Sequence, residues 1–103
     1  MDRRINLQEE LVDLAGSSYR VYFQPPEGTQ IEYPCVVYGR SGTDSKYANN
    51  HAYRFTQQYQ ITVITREADC SLPKKILEHF PMCRIDRSFT TDNMYHHVLT
   101  LFY

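Results

Sequence analysis

The chain has 103 residues, the size of one domain, with 42% hydrophobic residues and a net charge of −1. Its acidic and basic residues are interleaved, and this argues against a nucleic-acid-binding domain, which usually carries a basic excess. The sequence contains no run of 18 apolar residues, so no transmembrane span is predicted. The first residues lack the apolar region of a signal peptide. Three cysteines without C-x-x-C spacing indicate a reducing compartment, with the thiols buried as small hydrophobes.

The first predicted element is an amphipathic helix. Its apolar positions recur at the i, i+4, i+7 spacing of one helix face: Leu7, Leu11 and Leu14. Asn6 is a suitable N-cap, and Glu9 completes a pair like a capping box. Gly16 is predicted to end the helix in the left-handed conformation.

Three strands are predicted next, over residues 19–23, 33–40 and 53–65. The first two are rich in aromatic and β-branched residues, and Pro25 and Pro26 end the first. The third alternates with period two along its whole length, which is typical of a strand with one packed face. Because it is longer than most strands, we expect one end to reach beyond the core.

A second helix is predicted to end at Phe80, with Ser71 or Asp69 as its cap and Pro73 in its first turn. Two further strands follow, joined by the turn sequence "TTDN". We expect the last strand to be held within the sheet. The order α-β-β-β-α-β-β predicts one α+β domain over residues 1–103, a largely antiparallel sheet with two helices packed on one face.

Few residues suggest chemistry. His96 and His97 are adjacent on a predicted strand, so they point to opposite faces and cannot share a metal ion. Pro81 separates His79 from Cys83 and breaks the helix that would align them. Because no nucleophile motif or phosphate-binding loop is found, we expect neither an enzyme nor a metal or other cofactor.

The charged run "CRIDR" also has two interpretations. Arg84, Asp86 and Arg87 form either a functional charged patch or a solvated strand face with cross-strand ion pairs. We favour the solvated face.

The most unusual stretch is the polar connection over residues 41–51, where a two-residue turn would join antiparallel strands. Long connections are commonly functional or disordered, so it is either an idle surface loop or a hairpin arm that orders against a neighbouring subunit. The long alternating strand beside it favours the arm. The candidate arm residues are Thr43, Asp44, Lys46, Tyr47, Asn49, Asn50, His51 and Tyr53, with Tyr47 as the expected anchor.

Three stretches that cover nearly the whole chain carry a family resemblance: "VYFQPPEGTQIEYPCVVYGRSGTDSKYANNHAYR", "YQITVITREADCSLPKKILE" and "PMCRIDRSFTTDNMYHHVLTLFY". They resemble small proteins of the head–tail joining region of long-tailed bacteriophages and prophages, in particular the tail-terminator (tail-completion) proteins. The ending departs from the group's pattern at turn or strand positions: Ser88, Thr91, Tyr95 and His97.

The resemblance implies an α+β protein that assembles as a homo-hexameric ring on the head-proximal end of the tail tube. There it would stop tube polymerisation and meet the head-completion or connector protein. The implied location is the virion neck, after assembly in the host bacterial cytoplasm, without membrane contact. A near-neutral chain suits a lumen through which DNA passes without specific binding.

Two alternatives to the tail-terminator role remain open. A head-completion (stopper) protein of the same neck would share the resemblance, and a small cytoplasmic binding or regulatory protein would share the lack of catalytic motifs. The presence or absence of the protein in purified virions separates the regulator from both assembly proteins.

Overall fold

The computed structural model describes residues 3–41 and 57–103. Within these ranges the chain forms two α-helices, one short 3₁₀ turn and five strands. The helices are α1 (Arg3–Ala15) and α2 (Leu72–His79). The strands are β1 (Arg20–Phe23), β2 (Cys35–Arg40), β3 (Gln58–Thr65), β4 (Cys83–Thr91) and β5 (Met94–Phe102). The predicted α+β class and order of elements are confirmed.

All five strands lie in one mixed sheet of order β1-β2-β3-β5-β4. Three of its pairings are antiparallel, and β1 lies parallel to β2. The connection over residues 24–34 therefore carries the chain back to the end of the sheet where β1 began. As predicted, β5 is held within the sheet, whereas β1 and β4 are its two edges.

The first helix begins at Arg3, three residues earlier than the predicted cap. Asn6 therefore lies inside the helix, and the prediction that it caps the N-terminus was wrong. Leu7 and Leu11 are fully buried, as their spacing indicates. The helix ends at Ala15, and Gly16 follows it with φ +72°, the left-handed conformation expected of a terminating glycine.

The core contains side chains from one face of the sheet, here called the core face. Strand pairing places Val36 opposite Val63, and Tyr38 opposite Ile61, on this face. The same buried cluster contains Leu7 and Leu11 of α1, and Leu72 and Ile76 of α2, together with further residues of β3 and β5: Tyr59, Leu99 and Leu101. The opposite side of the sheet is called the outer face.

The third strand keeps the predicted alternation over its described part. Tyr59, Ile61, Val63 and Thr65 are buried, while the intervening residues are more exposed. The predicted beginning of this strand, residues 53–56, lies outside the described residues. So does the predicted hairpin arm except for Ser41, whose N–H donates to the Gln58 carbonyl at 2.9 Å.

The remaining boundaries differ from prediction by one or two residues. β2 begins at Cys35, directly after the cis Tyr33–Pro34 peptide bond. Ser71 occupies the N-cap position of α2 but makes no capping side-chain bond, and Phe80 lies just after the helix. Only Asp92 and Asn93 separate β4 from β5, both with positive φ, so the last hairpin turn is shorter than "TTDN".

Candidate interaction surfaces

The two adjacent histidines lie on opposite faces of the sheet. His96 stacks on Phe89, with the ring centroids 4.9 Å apart, whereas His97 Nδ1 lies 2.9 Å from Ser88 Oγ. Burial, followed by the neighbouring His96, lowers the pKa of His97. Its Nε2 is buried and has no hydrogen-bond partner among the described residues. The structure does not bring the two rings into one site.

His79 and Cys83 do not converge either. His79 Nε2 lies 2.8 Å from the Glu10 carboxylate of α1, and Cys83 begins β4 beyond Pro81. Within residues 3–41 and 57–103, no group of three or more His, Cys, Asp or Glu side chains is placed to hold a metal ion.

The prediction that the thiols are buried is confirmed in full only for Cys35. Burial raises the pKa of the Cys35 thiol to about 11. Cys70 and Cys83 are half-buried. A thiol held protonated in this way is a poor nucleophile, since the thiolate is the reactive form. Cys35 therefore acts as a small packed side chain.

The charged run on β4 is arranged around Asp86, at an irregularity in the pairing between Ile85 and Arg87. Arg84 Nε donates to the Asp86 carboxylate at 2.8 Å, and the Thr100 hydroxyl donates to its other oxygen. These two bonds lower the pKa of Asp86. The ion pair lies within one strand, so the predicted cross-strand ion pair was wrong and a cross-strand hydrogen bond takes its place.

All predicted interface residues from Thr43 to Tyr53 lie outside the described residues. The described part of the chain offers two other candidate surfaces, the free edges of the sheet. Neither was predicted, because strand order is not readable from the local sequence pattern.

One candidate is the free edge of β4, whose residues after Cys83 are all exposed. Two large apolar side chains of this strand are partly exposed to solvent: Ile85, 44% exposed, and Phe89, 40% exposed. The segment beyond the irregularity, residues 88–91, carries no charge and no proline. Such an edge is a natural template for pairing with another strand.

The other candidate is a groove of about 550 Å³ along β1. Val21 and Tyr22 lie between two walls, one formed by the end of α1 and the turn after it, the other by the connection that leads to β2. Val12 on the first wall and Tyr33 on the second are large apolar side chains that are 45% and 39% exposed. The groove lies along an edge strand of the sheet.

Comparisons with protein-family models, curated proteins and solved structures found no match. In the described ranges, neither helix has the length and apolar character needed to cross a membrane.

Proposed function

We propose that the protein is a tail terminator: a structural virion protein that caps the head-proximal end of a phage tail tube as a ring. The observation that carries the proposal is the resemblance of three stretches, which together cover nearly the whole chain. The α+β fold is the class that this resemblance implies.

Several properties of the chain fit a capping role. In the sheet formed by residues 3–41 and 57–103, two edge strands give a small subunit two different surfaces for neighbours, which a ring requires. The net charge of −1 suits a lumen through which DNA passes without binding. The proposed partners are other copies of the chain, the tail tube protein and the head-completion or connector protein.

Tube growth in vitro tests the proposal. Tail tube protein from the same phage or prophage is polymerised with and without this protein, and tube lengths are measured by electron microscopy. A terminator shortens the tubes and leaves a ring of about six copies at one end. Unchanged tube lengths, with binding to the connector instead, would identify a head-completion protein. Absence from purified virions would identify a regulator and reject both neck roles.

A further inference from the structure

We propose that copies of this protein join by strand addition, with the free edge of β4 in one copy entering the groove along β1 of the next. The inference rests on the proposed function only for the closed ring of six copies. The contact itself is argued from the two edges, which match in backbone groups, direction and side chains.

In β1, the backbone N–H and C=O groups that point away from β2 belong to Val21 and Phe23. The Gln24 N–H donates to the Tyr38 carbonyl at 2.8 Å, and the Arg20 N–H donates to the Pro34 carbonyl. Residues of a strand alternate in the direction of their backbone groups. Residues 20, 22 and 24 therefore face β2, and both groups of Val21 and of Phe23 point to the free edge.

The outward groups of β4 belong to Ser88 and Thr90. Gln57 and Tyr103 exchange two backbone hydrogen bonds of 3.0 Å, so alternate residues of β5 from Tyr103 backwards face β3. The β5 residues between them, including His96, face β4. There they pair with alternate residues of β4, of which Phe89 is one. Ser88 and Thr90 accordingly present their N–H and C=O groups to the free edge.

The strand directions are also compatible. β1 runs parallel to β2, and each later pairing in the sheet is antiparallel, so β4 runs opposite to β1. When a second copy continues the sheet with the same faces aligned, its β1 lies antiparallel to β4 of the first. Antiparallel pairing is slightly more stable per residue than parallel pairing.

One register satisfies all the outward groups of β1. It places Val21 opposite Thr90, and Phe23 opposite Ser88, so each pair can exchange both backbone bonds. In the register shifted by two residues, Phe23 would face the irregularity near Asp86, where the ladder is interrupted. The first register is therefore favoured.

This register pairs two aromatic residues on the outer face. Phe89 is directly opposite Tyr22 of the second copy, in a pair without backbone bonds, where side chains approach most closely. Both rings are already held in place: Phe89 stacks on His96, and the Tyr22 hydroxyl accepts the Glu32 N–H at 3.1 Å. Little side-chain entropy is then lost on association, and this favours the contact.

At one end of the contact, Arg20 of the second copy lies opposite Thr91 and next to Asp92 of the hairpin turn. Arg20 Nε already lies 3.0 Å from the Glu32 carboxylate of its own copy, so Asp92 would join an existing ion pair. A strand addition of this length covers only part of the roughly 800 Å² per partner that a standard stable interface buries. We therefore expect the isolated protein to associate weakly and the ring to be stable mainly on its tube.

Cysteine cross-linking tests the register in the full-length chain. Arg20→Cys and Thr91→Cys variants are purified separately, mixed at high concentration and oxidised mildly, and heterodimers are counted by mass spectrometry. Opposed residues in antiparallel strands lie about 4.5–5.5 Å apart at Cα, within the range for a disulfide. We expect cross-linked dimer in this mixture and in neither variant alone.

Thr90→Cys is the matched control, because residue 90 points to the other face. Mixed with Arg20→Cys, it should give about tenfold less cross-linked dimer than Thr91→Cys does, since Cβ atoms directed apart cannot be bridged. The unaltered protein controls for its own cysteines. Equal yields from both mixtures, or no heterodimer at all, would overturn the proposed register.

Phe89→Cys alone distinguishes a competing arrangement. If two β4 edges paired about a twofold axis with Phe89 opposite itself, this single variant would form homodimers, and that result would overturn the proposal. The function and the contact can fail separately. Cross-links without tube capping would leave the contact standing and reject the function, and capping without cross-links would do the reverse.

Discussion

The side chain of Gln24 fills the space above Gly39, so that a Cβ atom at residue 39 would lie 2.8 Å from Gln24 Cγ. Gln24 has φ +40°, and its Oε1 accepts the Arg40 N–H at 2.9 Å. The residue that follows β1 thus folds over a glycine in β2. The contact lies at the point where the chain leaves the edge of the sheet.

Gly39→Ala is expected to lower the free energy of unfolding by about 1–3 kcal/mol, measured by urea denaturation. The gain of about 0.5–1 kcal/mol from replacing a strand glycine is smaller than the cost of the clash. Gln24→Gly removes Cγ and suits the positive φ, so in that background Gly39→Ala should cost nothing. An equal cost in both backgrounds would show that the clash is not the cause.

Asp86 is expected to make the stability of the protein depend on acid pH. The hydrogen bond from Thr100, then that from Arg84, lowers the pKa of this carboxyl from 3.8, so the folded state favours the carboxylate. Its stabilising contribution is present above the ordinary pKa of 3.8 and is lost as the pH falls through the lower folded pKa. Asp86→Asn should therefore destabilise the protein more at about pH 7 than at about pH 3.

The control for this prediction is the same substitution in a Thr100→Val background, compared by denaturant titration at both pH values. Removing the first hydrogen bond should reduce the pH dependence of the Asp86→Asn effect. A difference that stays constant with pH in the unaltered background would contradict the assigned pKa shift.

The turn between β4 and β5 should tolerate glycine but not alanine at residue 93. Asn93 has φ +62°, a left-handed conformation that costs most non-glycine residues about 1–2 kcal/mol and asparagine less. Asn93→Ala should thus lower the unfolding free energy by about 1 kcal/mol, whereas Asn93→Gly leaves it unchanged or raises it. Equal thermal melting of the two variants would rule out this account.

Replacing residues 41–51 by an Asn-Gly turn should leave the monomer folded. The connection starts beside the beginning of β3, because the Ser41 N–H donates to the Gln58 carbonyl at 2.9 Å. Shortening a surface loop changes the closure entropy by only a few tenths to about 1 kcal/mol. The melting temperature should change little, while tube capping is lost, and Tyr47→Ala should reduce capping partially.

Asn49→Ala is the matched control for Tyr47→Ala, since it lies in the same stretch without a large apolar side chain. Normal capping by the shortened protein would make the stretch an idle loop. Failure of that protein to fold would place the stretch in the core. Either outcome removes the arm hypothesis and leaves the sheet edges as the interface to test.

The sequence alone predicted the elements whose patterns are set by local burial. The spacing of Leu7 and Leu11 indicated α1, and the alternation through Tyr59, Ile61 and Val63 indicated β3. These patterns are readable because each element buries one face, whichever neighbour covers it. The helix end at Gly16 was predictable for a related reason, since few other residues adopt the left-handed backbone conformation found there.

The tertiary structure alone decided which strands are neighbours. The charged run of β4 and the apolar run of β5 indicated which of the two strands is more solvated, but not which strands lie beside them. The parallel pairing of β1 with β2, and the irregularity that turns Asp86 towards Thr100, likewise depend on contacts between residues distant in sequence. The free edges and the groove along β1 follow from that strand order, so only the folded chain could reveal them.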